Sequence, residues 1–270
     1  MPGTLEGSKL PVRSRLLAAT DDQYDVLARW LAEVACPLDT LLDIGAGDGD
    51  DAYCHLIRPL VGRVVGVDPD PRTSRNTGLD EWHQATIEAF AAELLAAQAS
   101  RARESAEPGA GPPSATGGFG LFDLALAVYV VEHVTAPAAF FSAARVCLRP
   151  GGSLFVITPN LWHYFGLLAK GAMGLGVEDR LLGAVRAAAG EHDHAAHFAV
   201  AYRANSVRAL RRFGSEAGFS SLEIRHLENP AVFETYFPGW AVAFPRWYSR
   251  AVHRLGRPEL FGTFICRFIN

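Results

Sequence analysis

The sequence predicts an open, doubly wound α/β fold built on a mostly parallel sheet, and three observations carry the prediction. An apolar run, Leu41-Leu42-Asp43-Ile44, breaks at Gly45-Ala46-Gly47-Asp48-Gly49. It resumes with Tyr53, Leu56, Ile57 and Leu60 at i, i+3, i+4 and i+7, which is strand, glycine bend and helix in succession. Two further runs, Arg63 to Val67 and Leu121 to Val128, are apolar enough to be parallel strands covered on both faces by helices. Helical patterns alternate with them: Ile87 to about Glu104 is rich in Ala and Glu, and Phe140, Phe141, Ala144 and Leu148 form a buried stripe.

Size and charge narrow the class. A chain of 270 residues with 49% hydrophobic content can bury a large core, and one domain with a cap is expected. The net charge of -4 and the absence of a long basic run argue against general nucleic-acid binding. Cys36, Cys54, Cys147 and Cys266 are far apart in the chain and form no C-x-x-C pair, so neither a zinc site nor a disulfide framework is indicated. The N-terminal stretch, with Glu6, Lys9, Arg13 and Arg15, lacks the apolar core of a signal peptide. No apolar run approaches the length of about 18 residues that suggests a membrane span. A cytoplasmic location is expected.

Taken in order, residues 1–15 read as a mobile start. Tyr24, Leu27, Leu31 and Val34 mark an amphipathic helix from about Asp21 to Ala35. The glycine bend follows the first strand. Its spacing, Gly45-x-Gly47-x-Gly49, differs from the G-x-G-x-x-G of dinucleotide-binding turns. Asp43, just ahead of the bend, would repel a pyrophosphate and suits a cationic group. The second strand ends at Asp68, before Pro69-Asp70-Pro71. Glu81 to Glu88 reads as a short strand and loop. Residues 105–120, rich in Pro and Gly, read as a surface loop or disordered insert. Tyr129 to His133 fall at the carboxyl edge of the sheet, where ligands of open α/β folds bind. Pro150-Gly151-Gly152 is expected to end the helix of Phe140, and the following strand to finish in Thr158-Pro159-Asn160. Asn205 or Ser206 can cap a helix closed by Gly218, and Leu222–Leu227 and Leu260–Ile269 read as strands. Residues 233–248 are dense in aromatics, which fits core, a subunit contact, an apolar pocket wall or a membrane surface.

Four segments in this order resemble the class I S-adenosylmethionine-dependent methyltransferases: Asp43 with Gly45-x-Gly47-x-Gly49, then Arg63-Val64-Val65-Gly66-Val67-Asp68, then Phe122 through Val134, then Leu148 through Ile157. The resemblance covers residues 38–160 closely and the remainder loosely. It implies a Rossmann-like seven-stranded sheet with an antiparallel strand near the C-terminus and a cap inserted after strand five. The corresponding boundaries are a helical extension at 1–37, the cofactor-binding core at 38–160, the cap at 161–202 and the closing helix and strands at 203–270. The implied cofactor is S-adenosylmethionine, leaving as S-adenosylhomocysteine. Asp43 would face its amino group, Gly45, Ala46 and Gly47 would pass beneath it, and Asp68 with Pro69 would grip the ribose. Thr86 and Ile87 would meet the adenine, although the family often has an Asp where Thr86 falls. Val128, Tyr129 and His133 would complete the cofactor pocket.

The acceptor side is less defined. Asn160, Trp162, Tyr164, Phe198 and Tyr202 are candidate substrate contacts, and a small-molecule acceptor methylated on oxygen is favoured. An alcohol or carbon acceptor would need a base, for which His133, His192, His194 and His197 are candidates. The three clustered histidines have no second ligand group, so no metal is expected. Glu132 and His133 read more conservatively as shaping the loop around the donor. A homodimer is left open. The competing functions are a nicotinamide-dependent oxidoreductase, opposed by the glycine spacing and Asp43, and a non-catalytic binding module, opposed by the intact loop and acids.

Overall fold

A computed structural model of the chain describes residues 10–34, 38–49, 52–105, 121–174, 200–234 and 239–270. Its sheet has eight strands: β1 (Val12–Leu16), β2 (Leu38–Ile44), β3 (Val61–Val67), β4 (Glu81–His83), β5 (Phe122–Val128), β6 (Leu148–Pro159), β7 (Ser221–Leu227) and β8 (Thr263–Ile269). They lie in the order β1-β7-β8-β6-β5-β2-β3-β4. Only β8 is antiparallel to its neighbours, β6 and β7. The helices are α1 (Gln23–Val34), α2 (Ala52–Ile57), α3 (Ile87–Ser105), α4 (Pro137–Val146), α5 (Tyr164–Gly174), α6 (Val207–Ala217), α7 (Pro230–Glu234) and α8 (Ala243–Leu255).

Alternation along the strands divides the core between the two faces. Leu42, Ile44, Val65, Val67, Ala125 and Ala127 pack with Phe90, Phe140, Phe141, Phe213 and Phe268 on one side. Leu41, Val64, Leu124, Leu126, Phe155 and Ile157 pack with Leu27, Trp30, Leu31, Tyr53 and Ile57 on the other. The central strands are therefore apolar on both sides along most of their length, because both faces are covered by helices.

Three expectations are corrected. The sheet has eight strands rather than seven, because residues 12–15 of the stretch read as a mobile start pair, together with Leu16, in parallel with β7 from Val12↔Leu222 to Leu16↔His226. Four of the five residues of β1 are exposed, so it carries almost no apolar signal; backbone pairing chiefly holds it at the edge, with Val12 against the core and Arg13 paired to Glu223. The helix of Phe140 ends at Val146, and Pro150-Gly151-Gly152 lies inside β6, where the pairing with β5 shifts register between Phe122↔Leu148 and Leu124↔Ser153. The helix after the glycine bend is a single short element continued as a 3₁₀ turn at Arg58–Leu60, and Leu56 is exposed while Tyr53 and Ile57 are buried. Other boundaries agree closely: Ser206 Oγ accepts from Ala209 N at 3.2 Å to cap α6, and Gly218 ends it at φ +87°.

Candidate functional site

The chain runs β2→β3→β4 to one side of β2, and β5 then starts on the other side. The crevice between the carboxyl ends of β2 and β5 is therefore a topological switch point, where open α/β sheets bind ligands. The glycine bend sits there. Gly45 has φ +74°, and a Cβ on it would come within 2.3 Å of Val130 Cγ2, so the loop after β5 closes directly over this residue. Gly47 has φ +53°, yet nothing lies within 4 Å of where its Cβ would stand. One glycine thus serves packing and the next borders free space, which is where a ligand can lie against backbone.

Both acids flank this bend. Asp43 is 3% exposed and accepts from the Tyr53 hydroxyl at 3.3 Å to Oδ2, with Oδ1 at 3.5 Å. Asp68 is also buried; its Oδ2 accepts from Gly47 N at 3.0 Å and its Oδ1 from Asp70 N at 2.8 Å. Each oxygen of Asp68 uses one lone pair on the backbone and keeps one for another donor. Asn76 locks the bend from the other side, with Nδ2 donating to Ala46 O at 2.8 Å. Neither Tyr53 nor Asn76 was anticipated as a site residue: Tyr53 reads simply as the buried position of a helix, and Asn76 lies in a stretch without periodicity.

The remaining cofactor candidates lie along the same edge. Ala46 and Val128 are buried, Pro69 is exposed, and Ile87 is buried at the start of α3. Thr86 is exposed, and its hydroxyl accepts from Ala89 N at 3.3 Å, the bond of a helix N-cap. Tyr129 holds φ +54°, rare for a side chain of its size, and its hydroxyl donates to Gln23 Oε1 of α1 at 2.5 Å. Burial pushes its phenol far above the ordinary range. The α1 helix is thereby tied to the carboxyl edge of β5. His133 is half-buried, with its amide donating to Val130 O at 2.9 Å.

A buried polar chain stands next to this edge. Asn205 Nδ2 donates to Thr158 Oγ1 at 2.7 Å, and the Thr158 hydroxyl donates to Glu132 Oε2 at 3.1 Å. Burial raises the Glu132 carboxyl to about 7, the Thr158 bond pulling the other way. The Glu132 carbonyl accepts from Ala201 N at 2.6 Å and Tyr202 N at 3.0 Å, and Tyr202 is the second residue forced to positive φ, at +49°. Backbone strain of this kind gathers where surrounding structure over-determines a site. Glu132 is thus coupled to β6 through Thr158 and to residues 201–205 through its backbone, with burial raising its carboxyl.

Of the acceptor-side candidates, Asn160 is buried, with Nδ2 donating to Glu259 O and Phe261 O at 2.8 Å each and Oδ1 accepting from Trp162 N. These bonds tie β6 to the loop before β8 and occupy both N–H groups of the amide. Trp162 is exposed and Tyr164 half-buried. His192, His194, His197 and Phe198 lie outside the described residues. Among the described residues, no group of three or more His, Cys, Asp or Glu side chains could hold a metal ion.

Comparison with known proteins agrees with this geometry. A family model described as a methyltransferase domain matches residues 14–224. A ubiquinone biosynthesis O-methyltransferase of Rhodopseudomonas palustris (strain BisB18) is 31% identical over 133 residues, covering 49% of this chain and 44% of that protein. A protein of the same name from Methylocella silvestris is 28% identical over 215 residues, 77% of this chain and 67% of that one. The chain thus spans less than half the length of the first relative. The crystal structure of a SAM dependent methyltransferase from Archaeoglobus fulgidus superposes with a TM-score of 0.50 at 14% identity, covering 92% of this chain and 95% of that one, and so shares the fold. With a glycine bend flanked by two acids at the switch point of the sheet, and a family match over most of its length, the chain belongs to the class I S-adenosylmethionine-dependent methyltransferases.

Proposed function

We propose that the chain transfers the methyl group of S-adenosylmethionine to an oxygen of a small-molecule acceptor. The observation that carries this reading is the free space over Gly47, beside the buried carboxylate of Asp68, with the buried Asp43 just ahead of the same bend. The residues fit the group. A buried carboxylate attracts a cationic amino group, and Asp68 retains an acceptor lone pair on each oxygen for vicinal hydroxyls. Bound there, the cofactor supplies an electrophilic methyl and its own leaving group. The protein's part is to hold it, align the acceptor and exclude water.

Oxygen as the acceptor atom is supported by the relatives named O-methyltransferases and by Glu132. A carboxyl raised to about 7 is half ionised near neutral pH, so it can take a proton from a hydroxyl brought to the carboxyl edge. In this reading Glu132 is the proton acceptor, and His133 shapes the loop. Isothermal titration with S-adenosylhomocysteine and with NAD, followed by transfer of methyl label from the donor into phenolic and hydroxylated acceptors, tests the proposal. Tight binding of S-adenosylhomocysteine, none of NAD, and label on oxygen are expected. Binding of NAD alone, or label found only on nitrogen or carbon, overturns it.

A further inference from the structure

The outer side of α8, the 3₁₀ turn Gly239–Ala241 before it and the start of α5 carry large exposed apolar side chains. Trp240 is 87% exposed, Trp247 61% and Leu168 60%. Aromatic rings join the two helices: the Tyr164 ring stands edge-on to Phe244 at 5.0 Å, and Phe244 lies 6.1 Å from Trp247. Large apolar side chains this exposed and this close together mark an interaction site.

Charge identifies the partner. Residues 239–257 contain four arginines and no acid, in a chain whose net charge is -4. Arg246, Arg250 and Arg254 recur every fourth residue along α8, while Pro245, Ser249 and Val252 face inward. Arg246 is held by Glu234 through bonds of 2.8 and 2.9 Å. Arg250, Arg254 and Arg257 are exposed and have no acidic partner among the described residues. We propose that this α5–α8 face docks on the surface of an anionic lipid bilayer. Tryptophan rings favour the headgroup level, aliphatic side chains such as Leu168 and Leu255 enter the acyl boundary, and arginines meet lipid phosphates.

The same observations disfavour other occupants. In a two-fold contact between copies the patch would face itself and oppose its own unpaired arginines. A single-stranded nucleic acid would use the aromatics and arginines but leave the exposed leucines without a role. Among the described residues no helix is long and apolar enough to cross a membrane, so the docking is peripheral.

The proposal does not depend on the transfer reaction, and its test contains no methyl donor. The full chain is sedimented with vesicles of phosphatidylcholine alone or with added phosphatidylglycerol, at low and high salt. Partition into the anionic vesicles, a blue shift of tryptophan emission on binding, and release by salt are expected. Because each basic residue near an anionic surface contributes several-fold to binding, R250E/R254E should lower partition by about tenfold or more. W240S/W247S should lower it too, with unchanged thermal melting in both variants because all four side chains are exposed. Failure of the wild type to bind anionic vesicles overturns the proposal, as does equal partition by the variants. A dimer lost in W240S/W247S, or single-stranded DNA binding, in a protein that ignores vesicles would assign the face to that other partner instead.

Discussion

Glu132→Gln makes a stringent test of the site because its effect on stability reverses with pH. Folding raises the Glu132 carboxyl from about 4.5 to about 7, so between these values the folded protein holds a proton that the unfolded chain releases. Its contribution to stability is complete below pH 4.5 and is lost as pH rises through 7, and the loss amounts to about 3 kcal/mol at 1.36 kcal/mol per pKa unit. His226 opposes it. Buried in β7 against Phe264, with ring centroids 5.4 Å apart, it is driven by burial from its ordinary 6.5 down to about 4. The stability of that neutral imidazole is present above pH 6.5 and is lost as pH falls through 4, again by about 3 kcal/mol. The two slopes nearly cancel in the wild type between pH 4.5 and 6.5. Glutamine keeps an oxygen for the Thr158 hydroxyl but cannot ionise, so Glu132→Gln should gain about 1 to 3 kcal/mol over wild type at pH 8.5 and lose up to about 2 kcal/mol at pH 4.5, both ranges allowing for the cost of one unpaired amide N–H. It should also expose the His226 slope, becoming more stable as pH rises from 4 to 6.5. His226→Phe should do the reverse and lose stability from 4.5 to 7. Urea unfolding followed by circular dichroism at each pH, with an unchanged m value, measures both. Parallel pH profiles for wild type and Glu132→Gln would show that the carboxyl is not held protonated, and the argument for it as a proton acceptor would fail with that result.

The neighbouring residues give further expectations. Glu132→Gln should lower kcat by about 10²- to 10⁴-fold and abolish the limb of the pH–rate profile near pH 7, with S-adenosylhomocysteine affinity kept; a rate within twofold of wild type would leave the transfer without a protein base. Asp68→Ala should weaken S-adenosylhomocysteine binding by about 1 to 3 kcal/mol in titration calorimetry, and unchanged affinity in a folded variant would remove Asp68 from the site. Gly45→Ala and Gly47→Ala separate packing from binding. The first drives a methyl onto Val130 at positive φ and should lower the melting temperature strongly, whereas the second should cost only the conformational penalty of about 1 to 2 kcal/mol and chiefly reduce donor affinity. Equal loss of stability in the two would contradict the free space above Gly47.

The sequence by itself determined the order of strands and helices from β2 to β6, the glycine bend and the two acids beside it. Those features are local: a strand buried on both faces must be apolar throughout, a turn at positive φ calls for glycine, and a carboxylate placed before a bend needs no distant partner to be recognised. Ser206 and Gly218 marked the ends of α6 for the same reason. What lay out of reach depends on residues far apart in the chain. The strand β1 has no apolar pattern, because an edge strand needs only the backbone of β7, more than two hundred residues away, for its bonds. Glu132 reads as an ordinary acid in sequence; burial in the packed protein, where Thr158 of β6 and residues 201–202 bond to it, raises its carboxyl. In the aromatic segment the sequence shows density but not orientation; folding turns Pro245 inward with Ser249 and Val252 and leaves Trp247 and the arginines of α8 on the outside. Pattern is written residue by residue, whereas desolvation and exposure belong to the packed whole.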